Sequence, residues 1–592
     1  MTYKEYFALV DLQKALPGIG VLTITAIFLN YLGNRMIPAT RNSPLLQPAQ
    51  NRRTKTLSPL HLLSSISALL TFVVIAYYLS ILQGFGLISM QLYYSLAIAT
   101  FSSYFIMCFS YVRRSGILLV LSSLVTAVVI LSGPVIFGGI CQIQATFENG
   151  VSGFIFSTSL TREYTLPEAC PVGPPCHVYA TLPENASDSV FINFHTNIKH
   201  PHAVVCYNTS ITSSTKRELE QRDPADICIQ THVNDFKAVE WIGQRLVHSV
   251  YLFDLTPDTI YRINIYYDGT LQKEEIYQTL PLNSSQRKIS IITGGDAGFL
   301  EMSFETGTQA AEYKPDLVVM GGDLAYDNGM HTCYDAWDKF LSIFEQMNSV
   351  KGMLIPIIFT IGNHDVGIES LSMRTVTKGE DGPPFFTFFP QHSRVGNDGS
   401  LVKEVPPTSE RNSYFYHLIG GTLQVSLDCG YLADYNGTQL EWMKSLNKNY
   451  SSLPKFAVYH APIYWAFGLW DPVASVIVMG MQHWVPEFDR SRYMSAWENH
   501  AHLLKRTKPL RGGTPTENGT MYIGEGCWGV YCLNLPLENS TGIFTKYRNR
   551  LNHFWLIELN NETVSYKAIS SKGEIVDETW QRYDSYLIEN KQ

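Results

Sequence analysis

A chain of 592 residues with a formal charge of −8 is long enough for several domains and only mildly acidic. It has no long basic run and no long acidic tail, so nucleic-acid binding is not expected. Apolar residues make up 45% of it, but unevenly: roughly the first 140 residues are dominated by apolar runs, and the remainder reads as an ordinary globular chain.

Four N-terminal runs are long, apolar and nearly free of charge: about Leu16–Met36, Pro59–Gln83, Gln91–Val112 and Gly116–Ile140. Each is long enough to cross ~30 Å of hydrocarbon as a helix, the form that satisfies its own backbone there. Residues 1–145 are therefore expected to form a membrane region of four transmembrane helices. The first run lacks a basic start and a small-residue cleavage site, and reads as a retained span. Arg35, Arg41, Arg52, Arg53 and Lys55 lie between the first two runs, and Arg113 and Arg114 between the last two. The loop Gly84–Met90 has no Lys or Arg. The positive-inside rule then makes the basic loops cytosolic and everything after Ile140 luminal or extracellular. Charge is absent from the centres of the runs, which suits an anchor better than an ion path.

Acceptor triplets agree with that orientation. Asn-x-Ser/Thr occurs at Asn185, Asn208, Asn283, Asn436, Asn449, Asn518, Asn539 and Asn561, and nowhere before residue 150. Eight of the ten cysteines also lie there, as expected in an oxidising compartment. Close spacing suggests the pairs Cys170–Cys176, Cys206–Cys228 and Cys527–Cys532. Cys108 and Cys141 read as free or apolar packing residues.

Residues 166–282 are β-like. "HVYATL", "SVFINFHTN", "AVVCYN", "HSVYLFDL" and "TIYRINIYY" are rich in β-branched and aromatic residues and separated by turn chemistry. They predict a fibronectin type III-like β-sandwich, most simply a spacer before the next domain.

From 287 to 570 the pattern changes. "ISIIT" runs into "GGDAG", "PDLVVM" into "GGDLAYDNG", "IPIIFTI" into "GNHD", "KFAVY" into "HAP", and "RYMSAW" into "ENHAH". Helical stretches such as Tyr334–Met347 and Gln439–Leu446 alternate with these strands. The expectation is an α/β sandwich of β-sheets flanked by helices, with ligands just past the strand ends. Residues 571–592 are expected to form a tail.

Asp296, Asp323, Tyr326, Asn363, His364, His460, His500 and His502 collect at those ends. One Asp there is usually a turn former or helix cap, and one His a surface hydrogen-bonding group. Five successive donor-rich ends are hard to attribute to turns; carboxylate, phenolate, amide oxygen and imidazole are all metal donors.

These blocks resemble the metallophosphoesterases. Tyr326 three residues after Asp323, and Gly298 in place of a histidine, resemble the purple acid phosphatase branch, as does a β domain before the catalytic one. The resemblance implies two ions: Fe(III) held by Asp296, Tyr326 and His502, and divalent Fe, Zn or Mn held by Asn363, His460 and His500, with Asp323 bridging. His364 would be the phosphate-contacting catalytic histidine, and His483 a second substrate-facing one. The implied activity is acid hydrolysis of phosphate monoesters by a metal-bound hydroxide. Asn499 stands where the family usually has Gly, Ala457 where it has Val, and Lys505 and Arg506 near its usual Arg. A phosphodiesterase acting on nucleotides or lipid head groups fits the same motifs, and a receptor or scaffold with a relic site is the non-enzymatic alternative.

Overall fold

The structure is a computed structural model that describes residues 170, 172–209, 226–236, 244–327, 329, 334–366, 383–391, 394–395, 401–466, 478–524, 526–530, 532, 542–548 and 550–586. The four expected spans and their basic loops lie outside these residues, as do Cys108, Cys141, Cys333 and Asn539. No helix among the described residues is long and apolar enough to cross a membrane.

The β-rich N-side holds β1 (Cys176–Thr181), β2 (Val190–Thr196), β3 (Ala203–Asn208), β4 (Ile227–Gln230), β5 (His232–Phe236), β6 (Arg245–Leu252), β7 (Ile260–Tyr267) and β8 (Thr270–Gln278). β4, β3, β7 and β8 pair in that order as an antiparallel sheet. Inward Val205, Ile263 and Ile265 from that sheet share one core with Val190, Ile192 and Phe194 of β2. The three expected short-range disulfides are present, and Cys429 is a buried free thiol.

The second sheet of this β region continues directly into the α/β region. β9 (Ile289–Gly294), β10 (Leu317–Met320) and β11 (Pro356–Phe359) are parallel, and β11 pairs in parallel with β1 through Ala180↔Pro356 and Thr181↔Ile357. Pro356 has no N–H, and the start of a strand tolerates that.

The shorter pairs β12 (Arg394–Val395) with β13 (Leu401–Val402) and β19 (Leu510–Arg511) with β20 (Thr514–Pro515) stand apart. A seven-stranded sheet runs in the order β14 (Phe415–Ile419), β15 (Thr422–Ser426), β16 (Lys455–Val458), β17 (Tyr493–Glu498), β21 (Met521–Gly524), β18 (Leu504–Thr507) and β22 (Phe544–Arg548). β23 (His553–Leu559), β24 (Thr563–Ser570) and β25 (Ile575–Arg582) complete the first sheet. Its full order is β25-β24-β23-β9-β10-β11-β1-β2-β6-β5. The stretch expected as a tail thus carries a strand: Gly573, with φ of 83°, turns the chain, and β25 pairs with β24.

The two large sheets face each other. Ile291, Leu317, Val319 and Ile358 meet Phe456, Val458, Met494, Trp497 and Ile523 in the shared core. Each such side chain, fully buried, contributes about 1.5–3 kcal/mol. Tyr566 donates to Ser495 Oγ across the gap at 3.2 Å. Helices Glu301–Ala311 and Tyr334–Lys351 pack closely, since a Cβ on Gly307 would come within 2.6 Å of Ile343.

A candidate metal centre at five strand ends

The parallel strands bring their carboxyl ends together. Pairing continues past β9 and β10: Asp296, Ala297 and Gly298 donate backbone N–H to Gly322, Asp323 and Leu324 at 2.8–3.1 Å. On the facing sheet, Tyr459 donates to Trp497 and Asn499 to His460. The segments "GGDAG", "GGDLAY", "GNHD", "YHAP" and "ENHAH" therefore meet at one place.

Two groups of donors form there. In the first, Tyr326 OH lies 3.4 Å from Asp296 Oδ1, and His502 Nε2 lies 3.1 Å from each. In the second, His460 Nε2 lies 3.1 Å from Asn363 Oδ1, 3.1 Å from His500 Nδ1 and 3.2 Å from Asp323 Oδ2. Asp323, His460 and His500 could hold a metal ion together. Donors bonded to one ion at ~2.1 Å sit about 3 Å apart, so both groups have a suitable spacing. His500 and His502, one residue apart, point into different groups.

The backbone is strained at these positions. Asp296, Asp323, Tyr326, His500 and His502 have φ of 56°, 51°, 56°, 74° and 52°. Few non-glycine residues adopt the left-handed region, and such outliers persist where surrounding structure enforces them. Much of the enforcement comes from Asp365. Its buried carboxylate accepts N–H bonds from Gly362, Asp323 and Leu324 at 2.7–2.8 Å. The disulfide-closed loop after β21 acts on Asp296: Gly529 and Val530 donate to its carbonyl, and Trp528 donates to that of Gly295.

The electrostatics call for cations. Asp296 and Asp323 are buried, and among the described residues no Lys or Arg pairs with either. Burial works to raise Asp323, but the facing His460 and His364 imidazoles outweigh it and hold the carboxyl well below the usual range. Burial opposes charging His460, but Asp323 overrides it and pushes the imidazole up to about 9. Burial, followed by His460, drives His500 well below the usual imidazole value, and burial also lowers His502. Burial and then Asp296 raise the Tyr326 phenol far above its ordinary range. A cation at these donors would reverse the pressure on Tyr326.

His364 is beside the donors. Its backbone N–H donates to Asp323 Oδ1 at 2.8 Å, and its ring lies 4.6 Å from that of Tyr326. Burial pushes it down to about 4. His483 sits half-buried on the turn Gly480–Trp484, and no described contact joins it to the cluster.

Sequence reasoning passed over Asp365 and Glu498, and met Lys505 only as a departure from the resembling family. Asp365 directly follows His364, and its place in "GNHD" was the available signal. Glu498 and Lys505 bracket the two histidines and form a fully buried pair at 2.5 Å, with Glu498 Oε1 also accepting from Tyr459 OH and Ile463 N–H. Two charges flanking "NHAH" were visible, but nothing local indicated that both were buried.

The fold is that of a multi-sheet α/β metallophosphoesterase-like domain. Residues 293–493 match the family model described as calcineurin-like phosphoesterase. Among solved structures, the chain is similar to the purple acid phosphatase PPD1 isolated from yellow lupin (Lupinus luteus) seeds, at 15% identity and a TM-score of 0.54, covering 70% of this chain and 76% of that one. It is also similar to PhoD, at 9% identity and a TM-score of 0.51, covering 70% and 91%. These likenesses concern the fold. No curated protein matches the chain.

Proposed function

We propose that the chain is a two-metal phosphatase acting on phosphate monoesters. The observation that carries this reading is the convergence of seven side chains from five strand ends into two donor groups, five of them on strained backbone. Asp296, Tyr326 and His502 suit Fe(III), for which a phenolate oxygen is a good donor. Asn363, His460 and His500 suit a divalent Fe, Zn or Mn ion, with Asp323 between the two groups. Bound ions would supply Lewis acidity, charge neutralisation and activation of water for in-line displacement.

The chain's own residues then position and exclude. Asp365 fixes the backbone around Asp323, and the loop closed by Cys527–Cys532 fixes Asp296. Burial lowers the His364 pKa, and nearby cations would lower it further. Beside the donors, it is placed to donate an N–H bond to a phosphoryl oxygen.

Residues 1–145 would anchor this domain in a membrane and place it on the luminal or extracellular side. Asn283, Asn436, Asn449, Asn518 and Asn561 are exposed and fit glycan attachment, and Asn185 is half-buried. Asn208 leaves the set, because it is buried in β3 with its Nδ2 donated to Asp226. Protease and endoglycosidase treatment of intact vesicles tests the orientation: a glycan-free domain cut only from the cytosolic side contradicts it.

Hydrolysis of p-nitrophenyl phosphate by the metal-loaded full chain tests the activity. Turnover should be faster at acid than at neutral pH. His364→Ala should lower kcat by about tenfold to a thousandfold with metal content near normal. An inert wild type, or a fully active His364→Ala, rejects the reading, and activity confined to diesters redirects it.

A further inference from the structure

We propose that Asn499 is a positioning residue for the His460–His500 donor group, and that Gly295 and Gly321 are glycines because they form its seat. The proposal rests on the metal-centre reading. Asn499 is buried at the start of the loop carrying both histidines. Its backbone N–H donates to the His460 carbonyl at 2.8 Å, and its Nδ2 donates to the Tyr459 carbonyl at 3.0 Å. Its own carbonyl accepts from Ala501 at 2.9 Å. One residue thus ties the end of β17 twice to the end of β16.

The amide also reaches the opposite sheet. A Cβ on Gly321 would lie 1.8 Å from Asn499 Nδ2, and one on Gly295 would lie 2.5 Å from Asn499 Oδ1. In both cases the three nearest atoms all belong to Asn499. Neither glycine has a left-handed φ, so the backbone would accept alanine at either position. Only the space forbids it. One glycine of each "GG" pair, Gly295 before Asp296 and Gly321 before Asp323, is therefore complementary to the Asn499 side chain.

This geometry joins both sheets beside the donors. The Asn499 amide spans the ends of β9, β10 and β16, which carry Asp296, Asp323 and His460. Groups that orient ligands without touching the metal typically change affinity by ~10–100-fold when removed.

A mutant cycle on the full chain tests this, reading Mn(II) binding by titration together with the thermal unfolding midpoint. Asn499→Gly should weaken Mn(II) binding by about tenfold to a hundredfold. Gly321→Ala should weaken it similarly and lower the midpoint, because the methyl group displaces the amide. In the Asn499→Gly background, Gly321→Ala should have little further effect on either readout. Gly295→Ala should follow the same pattern, and it takes over the test if Gly321→Ala alone does not fold. Equal penalties in both backgrounds, or wild-type affinity in Asn499→Gly, overturn the assignment while leaving the metal centre standing. A metal-free wild type that binds none of Mn(II), Zn(II) and Fe(II) overturns the metal centre and the positioning role with it.

Discussion

Asp365 contributes to the site without touching a reacting group. Three backbone N–H groups point at one buried carboxylate, and removing an acceptor from buried donors costs about 1–3 kcal/mol. Asp365→Ala should lower stability by that order in urea unfolding and reduce metal occupancy; an unchanged midpoint would contradict its role. Tyr326→Phe should remove any visible phenolate-to-iron band while disturbing the divalent group less, as read by an absorption spectrum with metal analysis. The seven proposed ligands were legible because each sits in a short block at a strand end. The strained φ values were not, because Asp and His adopt left-handed backbone only occasionally and Tyr more rarely still; Asp365 and the disulfide-closed loop impose it from a distance. Asn499 could be recognised from sequence only as a departure, since its glycine seat lies about 180 and 200 residues away.

The elements that fix the site include a buried ion pair and a polar junction. Lys505 is fully buried against Glu498, and its loss would leave an uncompensated charge, costing about 3–5 kcal/mol. Lys505→Met should therefore destabilise by that order and reduce metal bound at His500 and His502, whereas a neutral result would show that the pair does not hold the loop. At the junction between the β-rich side and the helix Tyr334–Lys351, His177 lies 3.0 Å from both Asp338 and Glu345, and Arg245 pairs with Asp338. Burial opposes charging His177, but the Asp338 and Glu345 contacts prevail and its pKa is raised. Burial also opposes Asp338, yet Arg245 and His177 hold it low. A raised histidine stabilises the fold fully below its unfolded value, near 6.5, and loses that contribution as pH rises through its folded value. The depressed Asp338 contributes above its unfolded value, near 3.8, and loses that contribution on acidification. The junction is thus firmest at mildly acid pH. His177→Gln should flatten the decline in stability from mildly acid towards alkaline pH, and an unchanged profile would remove His177 as its source. Alternating and β-branched runs made the strands around the site readable. The parallel pairing of β1 with β11 was not, because short strands carry no local mark of their partner.

At the scale of the molecule, one sheet runs from the β-rich side through the strands that carry the candidate donors to β25. The change in sequence pattern at about residue 287 marks a switch in strand direction and helix content, and the sheet continues across it. The same continuity means that metal binding should stabilise the whole described unit. Chelation should lower its unfolding midpoint, since ligand at a hundred times its Kd contributes about 2.7 kcal/mol; calorimetry with and without chelator reads this, and coincident midpoints for a metal-loaded sample would contradict it. Asp323 is proposed to join the two donor groups into a two-ion centre. Metal analysis of the purified full chain, wild type beside Asp323→Ala, tests it most directly. The wild-type chain should hold two ions and the variant should lose both; a fully loaded wild type holding one ion or none, or a variant retaining both, would contradict the two-ion centre.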